Sequence, residues 1–214
     1  MEPRRLLEAC RRRGVDRIAI TDHNTITGAL EAAALDPERV IVGEEIQTTR
    51  GEILGYYLRE EVPPGLAPEE TIARLRHQGA VISVSHPFDG LRAGAWGEAD
   101  LQEIVPLVDA VEVFNARVWS DRANREAAAF ALQAGVPGTA GSDAHAYLEI
   151  GRAGLRLPRF DDADGLRIAL REAEVVGRRS TYLVHLLSRS ASIVQRLRSA
   201  GPRNARAGSA NQRT

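Results

Sequence analysis

The strongest constraint on this chain is a regular alternation of helix-like and strand-like segments, with a polar or charged residue where most of the strands end. The spacing of Leu6, Leu7 and Cys10 predicts a helix over residues 3–13, stopped at Gly14. Strands are predicted over 15–20, 39–47, 52–58, 80–85, 109–114, 137–140 and 154–157. Helices are predicted over 27–35, 68–78 with Pro68 at its start, 99–105, 121–134, 163–173 and about 181–199. Such an alternation argues a parallel α/β architecture. His23, Glu45, His86, Asn115, Asp143 and His145 each fall at or near the C-terminal end of a predicted strand. In a β/α barrel, that end carries the active site.

Composition narrows the chemistry. The chain has 214 residues, 43% of them hydrophobic, which is ordinary for one globular domain. It has no lysine, so all 28 basic residues are arginine. Schiff-base and P-loop mechanisms are therefore excluded. The formal net charge of −1 hides an asymmetry: eight arginines follow Glu174, the last acidic residue, so residues 1–174 carry −9 and the remainder +8. An acidic body is unlike a general nucleic-acid-binding surface and suits divalent cations. No run of about 18 apolar residues is present, and the first residues lack a signal-peptide apolar core. The single cysteine, Cys10, forms no internal disulfide, is expected as a core thiol, and fits a cytoplasmic setting. The small, polar residues 200–214 are expected to be a disordered basic tail. The basic C-terminal stretch is either a solvated helix face or an RNA-binding segment.

Several short segments carry candidate chemistry. His23 offers a ring nitrogen as a ligand, and Asp22 either accepts from the other ring nitrogen or caps the loop. Glu44 and Glu45 point to opposite sides of a strand, and their apolar neighbours make one of them costly to bury without a cation. His86 closes a strand of Val81, Ile82 and Val84, with Pro87 fixing its exit. Strict alternation puts Glu112 and Phe114 on one side and Val113 and Asn115 on the other. Glu112 is a ligand or an internal salt-bridge partner; Arg117 is a phosphate-holding fork or a surface residue. Asp143 and His145 form an Asp-x-His pair suited to Zn²⁺ or Mn²⁺. His77 is expected on an exposed helix face, and His185 in a packing or surface role.

Taken together, Ala19-Ile20-Thr21-Asp22-His23-Asn24-Thr25, Gly43-Glu44-Glu45-Ile46, His86-Pro87-Phe88-Asp89, Glu112-Val113-Phe114-Asn115-Ala116-Arg117 and Gly141-Ser142-Asp143-Ala144-His145 resemble the PHP family, named for polymerase and histidinol phosphatase. The resemblance covers about residues 3–190, and within the family is nearest the small stand-alone phosphoesterases. It implies a distorted (β/α)₇ barrel over residues 1–190 and two or three divalent metal ions, Mn²⁺, Zn²⁺ or Mg²⁺. It also implies hydrolysis of a phosphoester by a metal-activated water. The substrate class is a nucleotide, an oligonucleotide end or a small metabolite. By the resemblance His23 is a ligand of one metal, Glu45 bridges two, and His86 serves the second. Asn115 stands where many members place a further ligand, often His. Asp143 and His145 are ligands of the first and third metals. Asp22 and Arg117 are assigned to catalysis beside them.

One departure shapes the expectation. The family usually opens with a strand carrying Asp-Leu-His-x-His, and no histidine precedes His23. The expected barrel therefore lacks its first strand, and the reading favours a start inside a longer protein. The alternative function is a metal-binding domain of this family without turnover.

Overall fold

A computed structural model describes residues 1–90 and 95–179. The helix expected over about 181–199, His185, and the basic tail lie outside the described residues. Helix α1 (Pro3–Arg12) leads into β1 (Ile18–Ile20), α2 (Thr27–Ala33), β2 (Val40–Gln47) and β3 (Glu52–Tyr56). Helix α3 (Pro68–His77), β4 (Val81–Val84), α4 (Glu98–Ile104), β5 (Ala110–Asn115), α5 (Asp121–Ala134) and β6 (Gly138–Gly141) continue the alternation. The described part ends with β7 (Ala153–Arg156), α6 (Ala163–Ala169) and β8 (Glu174–Gly177).

Local chemistry sets several of these boundaries. The Glu2 carboxylate accepts from the N–H groups of Arg4 and Arg5, capping α1 ahead of Pro3. Ser120 caps α5, and Gly135 ends it in the left-handed conformation at φ 69°. The sequence missed β8, which pairs antiparallel with β7 as a separate two-stranded ribbon. Its four residues are all exposed, so they carry no burial pattern to read.

Six strands form one curled sheet in the order β1-β2-β3-β4-β5-β6. The sheet is not wholly parallel, which corrects the sequence reading. β1 runs parallel to β2, and β4, β5 and β6 run parallel to one another, but β3 is antiparallel to both β2 and β4. The cause is the connection: only residues 48–51 join β2 to β3, enough for a hairpin and too few for a crossover. The start of β3 therefore lies beside the end of β2, with Glu52 opposite Gln47.

The two faces of the sheet differ sharply. Ile46, Ile53, Ile82, Val84, Val111 and Val113 belong to one core with Ile72 and Leu75 of α3, Leu101 and Ile104 of α4, and Ala131 of α5. Registered pairing places Glu45, Leu54, Ser83, Ala110, Glu112 and Thr139 together on the opposite, concave face. At one end of that face Val81 and Ala110 pack against Leu166 and Leu170. A third cluster seats α1 and α2 on β1 and β2 through Leu7, Cys10, Ile20, Ala29 and Val40. Cys10 is fully buried there, as expected. Among the described residues no helix is long and apolar enough to cross a membrane.

The hairpin is pinned from outside. Trp96 donates its indole N–H to the Glu52 carbonyl at 3.2 Å, and its ring lies where a Cβ on Gly51 would project. Arg50 reaches Glu69 of α3 as well as Asp100 and Glu103 of α4, the last two at 3.0 and 2.8 Å. Replacing Gly51 by alanine should overpack this contact and destabilise the protein by about 1–3 kcal/mol. Urea denaturation followed by tryptophan fluorescence measures this; an unchanged midpoint would show that Trp96 moves aside without cost.

Candidate metal centre

The concave face is lined with acids and imidazoles where the parallel strands end. His23 follows β1 and makes a parallel bridge with Glu45 of β2. The Glu45 N–H donates to the Asp22 carbonyl at 3.2 Å, and the Asn24 N–H donates to the Glu45 carbonyl at 3.0 Å. This clasp extends the β1–β2 ladder past Ile20 and carries the imidazole to the mouth. The Asp22 side chain is exposed and lies against Gly28 at the start of α2.

Four side chains converge. His86 Nε2 lies 3.1 Å from Glu45 Oε1 and 3.0 Å from Glu52 Oε2. His23 Nδ1 lies 3.3 Å from Glu45 Oε2 and 3.8 Å from Glu52 Oε1. The Ser85 hydroxyl donates to Glu45 Oε1 at 2.7 Å and fixes that carboxylate. His86, Glu45 and Glu52 are buried, while His23 is exposed. Burial works against the Glu45 charge, but the His86 hydrogen bond and the His86 and His23 charges prevail, holding its carboxyl below the usual range.

A second group stands beside the first. Asn115 donates its amide to Glu112 Oε2 at 3.1 Å and to Asp143 Oδ2 at 3.3 Å, while the His86 N–H donates to Glu112 Oε2 at 2.9 Å. His145 Nδ1 sits 3.4 Å from Asp143 Oδ1, and the His23 and His145 rings are 6.4 Å apart. All six expected ligands therefore meet at one mouth. His86 and Asp143 both have positive φ, at 24° and 46°. Such backbone costs about 1–3 kcal/mol per residue and persists where surrounding contacts over-determine it.

Glu112 and Asn115 share the concave face, which overturns strict alternation along β5. A bulge between Glu112 and Phe114 pairs Glu112 with Thr139, and Asn115 with Gly141. One extra residue, Val113, restores Asn115 to the side of Glu112. Gly141 leaves room for this: a Cβ there would come 2.7 Å from Glu112 Oε1.

The two adjacent glutamates of β2 part as expected, yet both are buried. Glu44 lies on the helix-covered side and is fully buried, its Oε2 accepting from the Val62 N–H at 2.9 Å. Burial pushes its carboxyl up, against that N–H, and Oε1 has no hydrogen-bond partner.

Arg117 donates from Nη1 to both oxygens of the fully buried Glu149, at 3.1 and 3.2 Å. Glu149 also accepts from the His145 N–H at 2.8 Å, linking Arg117 to the Asp-x-His loop. Sequence reasoning missed Glu52 and Glu149. Glu52 starts a strand whose direction was misread. Glu149 sits in a loop, Tyr147-Leu148-Glu149-Ile150, with no motif to mark it.

The donor chemistry fits a divalent cation. Imidazole nitrogens and carboxylate oxygens crowd together at 3.0–3.8 Å, and one ligand atom each from His23, Glu45 and Glu52 lies within 4.8 Å of the others. A sequence profile described as PHP-associated matches residues 121–175. An uncharacterised protein of Methanocaldococcus jannaschii is 43% identical over 120 residues, or 54% of this chain and 67% of that relative. A two-domain protein from Bacteroides vulgatus, containing a predicted PHP-like metal-dependent phosphoesterase, superposes with a TM-score of 0.65 at 17% identity. That match covers 83% of this chain and 60% of the other.

The chain belongs to the PHP family.

PsfC from Pseudomonas syringae is similar in fold, with a TM-score of 0.66 at 18% identity, over 90% of this chain and 89% of PsfC. The curled sheet, with its cluster of acids and imidazoles at the strand ends, is thus a PHP scaffold.

Burial pushes the Glu112 carboxyl up to about 7, against the opposing pull of His86. In the unfolded chain it titrates at its ordinary value, near 4.5. The folded metal-free protein therefore holds this proton more tightly than the unfolded chain does. The associated stability is full below about pH 4.5 and is lost as pH rises through about 7. The melting temperature of chelator-treated protein should fall between about pH 5 and 7.5, and Glu112→Gln should flatten the slope. A slope that survives the substitution belongs to another group.

Proposed function

We propose that this PHP protein is a metal-dependent phosphoesterase acting on a nucleotide, an oligonucleotide end or a small phosphorylated metabolite. The observation that carries the reading is the convergence of His23, Glu45, His86, Asp143 and His145 at one end of the sheet. These five side chains would hold divalent cations such as Mn²⁺, Zn²⁺ or Mg²⁺. Bound there, the cations supply an activated water and neutralise charge on the phosphoryl oxygens.

The protein's own groups do the positioning. Ser85 orients Glu45 so that its second oxygen faces His23. Asn115 ties Asp143 to Glu112 through its amide N–H, and its Oδ1 accepts from the Arg117 N–H at 2.8 Å. Binding metal through Asn115 Oδ1 requires the amide to turn over and give up that bond. Arg117 has a guanidinium nitrogen on Glu149, so its proposed role is to steady the His145 loop. Asp22 holds Glu45 by its backbone, and the role proposed for its exposed carboxylate is to meet substrate. No serine or cysteine nucleophile is required.

Hydrolysis of p-nitrophenyl phosphate and bis(p-nitrophenyl) phosphate with Mn²⁺ tests the reading. Chelation should abolish activity and Mn²⁺ restore it. His86→Ala and Asp143→Asn should each lower kcat by at least about 100-fold, because even partners behind metal ligands cost roughly 10- to 100-fold. A metal-loaded wild type that is inactive across a broad phosphoester panel would sink the hydrolase reading and leave a non-catalytic metal-binding domain.

A further inference from the structure

Charge is shared out unevenly along the body of the chain. Residues 3–13 carry five arginines and one acid, while residues 14–174 carry 15 arginines against 27 acids. We propose that the arginine face of α1 is a docking surface for the phosphodiester backbone of a single-stranded oligonucleotide. The assignment rests on the phosphoesterase reading and narrows its substrate class to an oligonucleotide.

Helix geometry makes the face. At about 100° per residue, Arg4, Arg5, Arg11 and Arg12 fall within one arc of about 120° around Glu8. Leu6, Leu7, Ala9 and Cys10 fill the opposite side and are buried against α2, β1 and β2. All four arginines are exposed. Arg4 and Arg11 are two turns apart, as are Arg5 and Arg12, so the charge extends about 10 Å along the axis. Arg11 is paired with Asp36 at 3.1 Å, and Arg12 stands 4.0 Å from Glu8. The Arg4 and Arg5 side chains have no ionic partner among the described residues.

The face adjoins the candidate metal centre. The Glu2 N–H, at the start of α1, donates to the Tyr147 hydroxyl at 2.9 Å, and Arg13 Nη2 donates to the Leu148 carbonyl at 2.9 Å. Tyr147 and Leu148 follow His145 by two and three residues. The turn that holds Arg4 and Arg5 therefore lies against the loop that supplies an imidazole to the centre. A strand held along α1 has its next phosphate groups beside that loop.

The surroundings select the occupant. The apolar side of α1 is buried, so the helix has nothing to insert into a bilayer. A flat anionic surface pressed on α1 would also meet the acidic body around it. A narrow polyanion avoids that repulsion, because it follows the arginines while the acids lie beyond about one Debye length of 8–10 Å. Guanidinium groups suit phosphate oxygens, and a row this short spans a few phosphates of one strand.

The test is binding of a fluorescein-labelled single-stranded thymidine decamer to the full chain, read by fluorescence anisotropy with chelator present so that no turnover intervenes. With three phosphates engaged, affinity should fall about 20-fold between about 50 and 200 mM salt. Arg4→Gln, Arg5→Gln and Arg12→Gln combined should weaken binding by at least about 10-fold at the lower salt and flatten the logarithmic salt slope by about 2. Lysine at the same three positions keeps the charge and should keep the binding. Circular dichroism checks that both variants fold, and hydrolysis of p-nitrophenyl phosphate should be unchanged in both. Wild-type binding by the glutamine variant would assign any affinity to the arginines elsewhere in the chain and overturn the proposal. So would wild-type binding to vesicles of equal parts phosphatidylserine and phosphatidylcholine that the glutamine variant loses. A wild type that binds the decamer through α1 but hydrolyses no phosphoester would sink the hydrolase reading and leave the surface standing.

Discussion

Two buried carboxylates meet one buried imidazole at the mouth of the sheet, and much of the surrounding structure serves that contact. Glu45 and Glu52 approach His86 from neighbouring antiparallel strands, both within 3.1 Å of the same nitrogen. Like charges this close are tolerated only where geometry is fixed and counter-charge is near. Ser85 fixes one acid from the end of β4, and the indole of Trp96 fixes the backbone of the other. The His86 N–H meanwhile holds Glu112, tying the first group of candidate ligands to the second.

The sheet affords this polarity by separating its faces. Aliphatic side chains of β2 to β5 pack under α3, α4 and α5, and the helix-covered face supplies the core. The concave face is then free to hold Glu45, Glu112, Ser83 and Thr139, with Ser83 and Thr139 satisfying each other at 2.8 Å. Glu44 is the exception, a carboxyl committed to the helix-covered side and met there by the Val62 N–H.

Much of this was legible in the sequence, for identifiable reasons. Helices and strands with one buried face leave a periodic trace, and α1 to α6 and β1 to β7 left one. His23, Glu45, His86, Asn115, Asp143 and His145 could be singled out as neighbours because the ends of parallel strands gather at one side of such a sheet. Glu52 escaped because that rule assumes a direction, and a four-residue hairpin connection reversed it. Asn115 was aimed to the wrong side because a bulge is invisible to a two-residue period. Glu149 escaped because its partners, Arg117 and the His145 N–H, are joined by tertiary packing. β8, exposed throughout, gave no hydrophobic signal.

The short hairpin has a consequence for the order of assembly. Glu45 and Glu52 are brought together by local chain closure, which costs little entropy and is fast. His86, His23 and Asp143 arrive through longer loops. The acids therefore meet before the groups that neutralise them, and the isolated hairpin works against its own charge at neutral pH. Completing the β2–β3 pair is thereby coupled to the docking of β4, so the centre's electrostatics favour a cooperative folding step over a free-standing hairpin.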